Sequence, residues 1–346
     1  MLVVPSLCPR SSCDFLTVFG QSFAADLTCG PIKDMIVVRR EFGLARLRTG
    51  QTTSNEFGTE FAPGGTNFSY KEVSMSEAQM PQEFYDVVVH HLPPVDPVGP
   101  AGGRPPIDNH TVLRVIWYVL STSIRWRDVP PEMGCSGETA RTRLRDWEEA
   151  GIWDHIHLEF LRLLRRDGEL EHDTAIVDSA QVRAFGGGDE TGPSPVDRRK
   201  QGTKYTLMVD RNGIPLAIRL AGANRSDQRE ILPIIQEQFP AVGGKPGRPL
   251  TKPAEVYADA GYDSEATREV LRCLGMKPFI RKSGTEHGSG LGRVRWVVER
   301  SLAWLKGLRR LRLRYDRSAA IIHGWATLAM SVINFRLWHN EIQLAE

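Results

Sequence analysis

The feature that most restricts the fold of this chain is a change of period near Asp173. Upstream of it, apolar residues recur at helical spacing; downstream they fall into short extended runs. Thr174 to Val182 reads as one strand, Lys204 to Val209 as a second and Ile214 to Leu220 as a third. Asp210-Arg211-Asn212-Gly213 stands between the last two, and Asn-Gly there signals a hairpin because both residues tolerate the left-handed backbone of a tight turn. A helix then opens at Ser226-Asp227 and runs through Ile231, Ile234 and Ile235. Ala254 to Ala258 gives a fourth strand, Thr267 to Leu274 a helix, Lys277 to Ile280 a fifth strand, and Arg293 to Lys306 a last helix. Three strands followed by alternating helix and strand require an α/β layout, with helices packed on a mixed sheet.

The order β-β-β-α-β-α-β-α is that of the ribonuclease H-like fold, in which the first and fourth strands are neighbours. Three acids then become informative. Asp178 lies in the middle of the first strand, where a charge is costly unless it faces a ligand or a cation. Asp259 ends the fourth strand. Glu299 lies on the last helix, on one stripe with Arg295 and Lys306, while Val298, Leu302 and Leu305 form an apolar stripe. Read alone, Glu299 is a salt-bridged surface acid. Set against Asp178 and Asp259 on adjacent strands, it becomes the third carboxylate of a cluster. Three converging carboxylates repel one another unless hard divalent cations lie between them, and all-oxygen sets of this kind select Mg²⁺ or Mn²⁺. Two such ions about 4 Å apart suit in-line attack on a phosphodiester.

The charge distribution points to a polyanionic partner. Between Arg281 and Arg317, eleven Lys and Arg face three acids, a local excess of eight in a chain of net charge +2. A solvated helical face is the plainer explanation of the same residues.

Upstream, Phe84, Val87, Val88 and Leu92 give a short helix that Pro93-Pro94 ends, and a linker follows from Val95 to Gly103. Asp108 caps a second helix with apolar residues from Val112 to Leu120, and Trp126 to Pro131 makes a turn. A third helix begins near Ser136, with Ala140, Leu144 and Trp147 inside and Arg141, Arg143 and Arg145 displayed; a fourth carries Ile152 to Leu164. A helix-turn-helix-like DNA-binding domain over 78–165 fits these segments, and so does an ordinary helical bundle. The catalytic domain is expected over 173–340.

Residues 1–77 show neither period and are expected to be disordered or a non-native extension. One hypothesis is that the natural start lies near Met75 or Met80; N-terminal sequencing that finds Met1 or Leu2 would sink it. Five cysteines without a CxxC pair fit a reducing cytoplasm, and no apolar run is long enough to span a bilayer.

Three pieces carry a family resemblance: Ala175-Ile176-Val177-Asp178-Ser179, Tyr257-Ala258-Asp259-Ala260-Gly261-Tyr262-Asp263, and Arg295-Trp296-Val297-Val298-Glu299-Arg300 with Trp304-Leu305. They resemble the DDE transposases of bacterial insertion sequences, more narrowly those of insertion-sequence family five. Leu92-Pro93-Pro94, Gly103-Arg104-Pro105 and Trp126-Arg127-Asp128-Val129-Pro130 resemble the helical region that precedes the catalytic domain in that family. The resemblance covers roughly residues 78 to 337, with its motifs in the expected order. It implies a catalytic and metal-binding triad of Asp178, Asp259 and Glu299 with two Mg²⁺ or Mn²⁺ ions. It implies DNA contacts from Arg104, Arg141, Arg143, Arg145, Arg295, Arg300 and Lys306. It also implies a homodimer or higher oligomer that joins two inverted-repeat ends, acting on DNA in the bacterial cytoplasm without a membrane partner. Arg295 and Lys306 match the family's Arg-x3-Glu-x6-Lys pattern. Gly292 stands where a tyrosine is frequent, and Ser226-Asp227 where His-Asp is frequent. A separation of 40 positions from Asp259 to Glu299 leaves no room for a large insertion domain.

The implied activity is cleavage at the element ends and transfer of the 3′-hydroxyls to target DNA. Two alternatives share the motifs: an inactive or domesticated transposase that only binds DNA in a sequence-specific way, and a ribonuclease H-like nuclease without strand transfer. Other residues have structural readings. Asp263 and Asp227 read as helix starts, Asp210 as a turn residue, Trp296 and Trp304 as packing residues, and His90-His91 as a helix end. Gly186-Gly187-Gly188 reads as a flexible loop near the active site.

Overall fold

Strands β1 (Thr174–Arg183), β3 (Gln201–Val209), β4 (Pro215–Gly222), β5 (Glu255–Ala258) and β6 (Lys277–Ile280), with the short β2 (Gly192–Pro193), build one mixed sheet. The computed structural model describes residues 78–95, 102, 105–284 and 292–345, all within one compact unit. The main strands lie in the order β4-β3-β1-β5-β6, and β2 pairs with the start of β3. Pairing is antiparallel for β1/β3 and β3/β4 and parallel for β1/β5 and β5/β6. This is the ribonuclease H-like arrangement.

The β3–β4 hairpin forms where Asn-Gly placed it. Asp210 Oδ1 accepts the amides of Asn212 (2.9 Å) and Ile214 (2.7 Å), and Gly213 has φ +84°. A side chain at Gly213 would also come within 2.6 Å of the Arg300 guanidinium, so two constraints select glycine there.

Strand alternation sorts β1 between two cores. Ile176 and Val182 face a core shared with Val297, Val298 and Leu302 of α7 (Gly292–Gly307), whereas Ala175 and Val177 face the opposite side. That second side is covered by α5 (Ile231–Gln238) and α6 (Glu265–Cys273) through Ile231, Ile234, Ile235 and Leu271.

The front helices are α1 (Gln82–Val88), α2 (Asn109–Thr122), α3 (Gly137–Glu149) and α4 (Ile152–Asp167). Asp108 caps α2 through the Thr111 amide (2.8 Å) and Ser136 caps α3 through the Thr139 amide (3.1 Å). These helices have no separate core. They pack around α9 (Ala319–Ala345), in which every residue from 324 to 336 is buried. Phe84 meets Trp117, Phe160 and Phe335, and Trp126 stacks on Trp325 at 5.3 Å. Asp316, just after α8 (Arg309–Arg312), accepts from both Trp126 and Trp325 and pairs with buried Arg310 at 2.7 Å. The front helices therefore continue into the core on one face of the sheet. Among the described residues no helix is long and apolar enough to cross a membrane.

Candidate active site

The parallel β1/β5 register sets the first two acids. Thr174 stands opposite Glu255 and Ile176 opposite Tyr257; two residues further along each strand come Asp178 and Asp259. Asp178 shares its side of β1 with Ile176, the side covered by α7. On α7, buried Val298 and Leu302 hold the helix down, and Glu299 and Arg295 share a stripe at the helix edge.

The three carboxylates converge on one nitrogen. Arg295 Nη2 lies 3.2 Å from Asp178 Oδ2, 3.8 Å from Asp259 Oδ2 and 4.0 Å from Glu299 Oε1. The other oxygens of the two aspartates are tied to backbone: Asp178 Oδ1 accepts the Ser179 amide (2.8 Å) and Asp259 Oδ1 the Gly261 amide (2.7 Å). Each aspartate thus keeps one oxygen fixed and turns the other towards the cation. The Asp178 side chain is 16 % exposed and that of Glu299 64 %, so the site grades from interior to solvent. Burial pushes the Asp178 carboxyl above the usual range; the Ser179 amide and the Arg295 charge oppose the shift, and Asp259 adds to it.

A guanidinium within 4.0 Å of three carboxylates shows that the cluster can surround a cation, and its donors are all hard oxygens. In this arrangement, among the described residues, no group of three His, Cys, Asp or Glu side chains is gathered closely enough to hold a metal ion. The donor set suits Mg²⁺ or Mn²⁺ in chemistry, with Arg295 in the cation's place.

A second layer of residues was not marked by sequence reasoning. Lys204, buried in β3, donates to Asp227 Oδ1 (2.8 Å) and to the Arg225 carbonyl (2.6 Å). Ser179 Oγ donates to the same Asp227 oxygen at 2.7 Å. Tyr262, also buried, lies near enough to Asp227, Asp178 and Asp259 that burial and those carboxylates together push its phenol up. Asp227 does open a helical turn, the 3-10 helix Asp227–Arg229 that leads into α5, but its carboxylate caps nothing and turns back to Lys204 and Ser179. A lysine amid the buried run of β3 was the available signal.

Several other expectations change. Ser264, not Asp263, caps α6 through Thr267 (3.3 Å), whereas Asp263 pairs with buried Arg268 and accepts the Ser283 amide at 2.6 Å. The glycine loop at 186–188 is not beside Asp178; it lies beyond the far end of β1, against Tyr315 and Arg317. Trp304 packs on the core, but Trp296 is 50 % exposed. Among the expected DNA contacts, Arg295 is drawn into the acid cluster, and Arg300 lies over both Trp296 and Trp304 and donates to the Asn212 carbonyl. Lys306 is half-buried at the end of α7. Arg141 and Arg145, one turn apart on α3, pair with Glu138 and Asp146, while Arg143 lies on the opposite flank by helical spacing. Arg104 lies outside the described residues.

Comparison with known proteins shows the family. The family described as "Putative transposase of IS4/5 family (DUF4096)" matches residues 80–157, and the family described as "Transposase DDE domain" matches residues 169–334. The chain is 52% identical over 149 residues to "Putative transposase for insertion sequence element IS402" of Burkholderia cepacia, covering 43% of this chain and 68% of that protein. It is 41% identical over 123 residues to "Insertion element IS402 uncharacterized 16.2 kDa protein" of the same organism, covering 35% of this chain and 84% of that protein. The solved "Crystal structure of the Mos1 Strand Transfer Complex" overlaps 68% of this chain and 78% of its own at 11% identity, but with a TM-score of 0.27 the overlap is too loose to support a conclusion. The two family matches and the 52% relative establish that this chain belongs to the DDE transposases of insertion sequences, within the IS4/5 group.

Proposed function

We propose that this transposase binds the terminal inverted repeats of its element, hydrolyses the phosphodiester bonds at the ends and transfers the freed 3′-hydroxyls to target DNA. The observation that carries this reading is the convergence of Asp178, Asp259 and Glu299, from two strands and a helix, on one cationic nitrogen. Asp178, Asp259 and Glu299 would hold two Mg²⁺ or Mn²⁺ ions, which when bound activate the attacking oxygen and stabilise the leaving one.

The chain's own residues supply the rest. The Ser179 and Gly261 amides fix the two aspartates, so that their second oxygens, now turned to Arg295, are aimed before DNA arrives. Glu299, the most exposed of the three, is the acid that meets the DNA first. In hydrolysis a water oxygen bonds to phosphorus while the 3′ oxygen departs with a proton. In transfer that 3′-hydroxyl attacks a target phosphodiester, gives up its proton, and the target's own 3′ oxygen leaves; both steps exchange one P–O bond for another. Arg295 and Lys306, with Arg300 behind them, provide positive charge for the end phosphates, and Arg104, Arg141, Arg143 and Arg145 of the front helices provide it for the repeat. Residues 78–165 would bind DNA and 173–340 perform the chemistry, in a dimer or larger assembly that pairs two ends.

A labelled duplex from the element's terminus, incubated with the protein, target plasmid and Mg²⁺, tests this. Joined product supports the proposal. Nicking without joining would favour a nuclease, and binding alone a DNA-binding regulator.

A further inference from the structure

The far end of β1 carries an exposed surface well away from the three acids. The segment after α8 joins the sheet there. Ala184 and Arg314 form a parallel bridge, in which the Arg314 amide donates to the Arg183 carbonyl (2.9 Å) and the Phe185 amide to the Arg314 carbonyl (3.1 Å). Ala184 and Arg314 turn inward and are buried, so Phe185 and Tyr315, next along each strand, turn outward side by side. Their rings stack at 6.0 Å and are 58 % and 48 % exposed. Buried Arg314 holds this platform rigid by donating to Thr203 Oγ1 (2.6 Å) and to the carbonyls of Glu190, Asp316 and Arg317. Two large rings kept in water gain little from the core and mark a surface for contact outside this chain.

The surroundings of the two rings are cationic. Arg183 lies over the Phe185 ring at 5.0 Å, and Arg310 over that of Tyr315 at 5.6 Å. The turn between β2 and β3 leans on the same strand. Ser194 Oγ donates to Gln181 (2.7 Å), Asp197 pairs with Arg183 at 3.6 Å, and the exposed Arg198, Arg199 and Lys200 form the tip. Arg198 and Arg199 both hold left-handed backbone, with φ +49° and +59°, a costly arrangement that only a well-tied turn sustains. On the other side, exposed Arg317 lies against Gly186 and Gly188. Outside the closed Arg310–Asp316 and His323–Glu190 pairs, five cations (183, 198, 199, 200, 317) stand against Asp189 and Asp197, an excess of three.

Position selects the polyanion. Phe185 is seven residues beyond Asp178, about 23 Å at ~3.3 Å per residue, too far to touch a bond held at the acids. On the other side, Asp316 beside Tyr315 accepts from Trp126, whose turn displays Arg125 and Arg127 at the edge of the front helices. The platform thus adjoins the front helices and is joined to the acids along β1, on the route of a duplex held at both. We propose that Phe185, Tyr315 and the tip Arg198-Arg199-Lys200 form a docking surface for the backbone of the terminal inverted repeat, about seven base pairs inside the cut at ~3.4 Å per pair. This rests on the reading of the chain as one that binds those repeats. The rings pack on deoxyribose faces while the cations neutralise phosphates, contacts that fix the register of a duplex without reading its sequence. A second copy of the chain is the competing occupant, but a symmetric contact would set the two cationic tips against each other.

The test uses the full-length protein, an element-terminal duplex and an unrelated duplex, with Ca²⁺ replacing Mg²⁺ to keep the DNA uncut. The wild type is expected to prefer the terminal duplex and to protect it from hydroxyl radicals about seven base pairs inside the cut. Combined Arg198→Gln, Arg199→Gln and Lys200→Gln should lose that protection and flatten the slope of log affinity against log salt by about 2 to 3. Phe185→Ala should lose it as well, binding about tenfold more weakly with an unchanged slope. The turn variant alters exposed side chains only, and thermal melting equal to that of the wild type keeps it decisive should Phe185→Ala fail to fold. Protection and salt slope in the turn variant equal to those of the wild type would overturn the proposal while the binding of repeats stands. Weakening on the unrelated duplex alone would also overturn it, in favour of target DNA. A lowered oligomeric state with unchanged DNA affinity would do the same, in favour of a contact between copies. No preference of the wild type for the terminal duplex would overturn both readings.

Discussion

Arg295 Nη2 and Asp178 Oδ2 are 3.2 Å apart, joining the helix that supplies Glu299 to the strand that supplies the first aspartate. The same nitrogen reaches Asp259 and Glu299, so one guanidinium neutralises part of the whole acid cluster. A divalent ion held by these acids would compete with this guanidinium for the same oxygens, so that one would have to withdraw for the other to enter.

Replacing Arg295 by Gln should therefore tighten divalent-ion binding in the absence of DNA. A unit charge about 4 Å away at an effective dielectric near 20 corresponds to ~4 kcal/mol before solvent screening, so a gain of about tenfold is a conservative expectation. Mn²⁺ titration followed by electron paramagnetic resonance reads it directly. An affinity equal to or weaker than that of the wild type would show that Arg295 does not hold the cation's place.

The Lys204–Asp227 pair should be a strong local determinant of stability. Lys204 has only 4 % side-chain exposure, so removing its partner leaves an ammonium group in the interior with a carbonyl as its remaining acceptor. Asp227→Ala is expected to cost about 3 kcal/mol, reduced by the partial exposure of Asp227. Lys204→Met combined with Asp227→Ala should cost less than the sum of the single changes. Urea unfolding of the four proteins measures the coupling; strict additivity would contradict a buried pair.

A pH effect on stability is expected from α3. Burial pushes Glu148 up to about 7, Asp154 adds to the shift and His323 opposes it. The folded protein then keeps a proton that the unfolded chain releases above the ordinary glutamate value, so stability falls as pH rises from about 4.5 to 7 and levels off above. Glu148→Gln should remove that slope and should be the more stable protein at pH 8. Thermal melting of both proteins across pH 5 to 8 checks this, and parallel curves would rule the effect out.

Much of this fold is written locally in the chain. The five main strands follow from extended apolar runs, the β3–β4 turn from Asn212-Gly213, and the starts of α2 and α3 from Asp108 and Ser136, because each signal acts over a few residues. The adjacency of Asp178 and Asp259 followed from the strand order that those signals implied. What depended on tertiary packing was not legible. The long α9, buried on every side through 324–336, has no polar face to give it a period. The helix start at Asp227 is legible, but the task of its side chain is not, because that carboxylate is claimed by Lys204, 23 residues earlier. Trp296 and Trp304 share an eight-residue spacing that suggests one packed face, and only the position of the buried stripe separates them. Nor did spacing reveal that the Arg295 guanidinium reaches all three acids.

The most direct test concerns Glu299. Single-turnover cleavage and joining of a labelled transposon end in Mg²⁺ should be compared for the wild type and Glu299→Gln, with binding to the same end measured in parallel. The expected result is binding within about twofold and a loss of both chemical steps on the order of 10²-fold or more. Cleavage and joining by Glu299→Gln at the wild-type rate would contradict the assignment of Asp178, Asp259 and Glu299 as a single catalytic site.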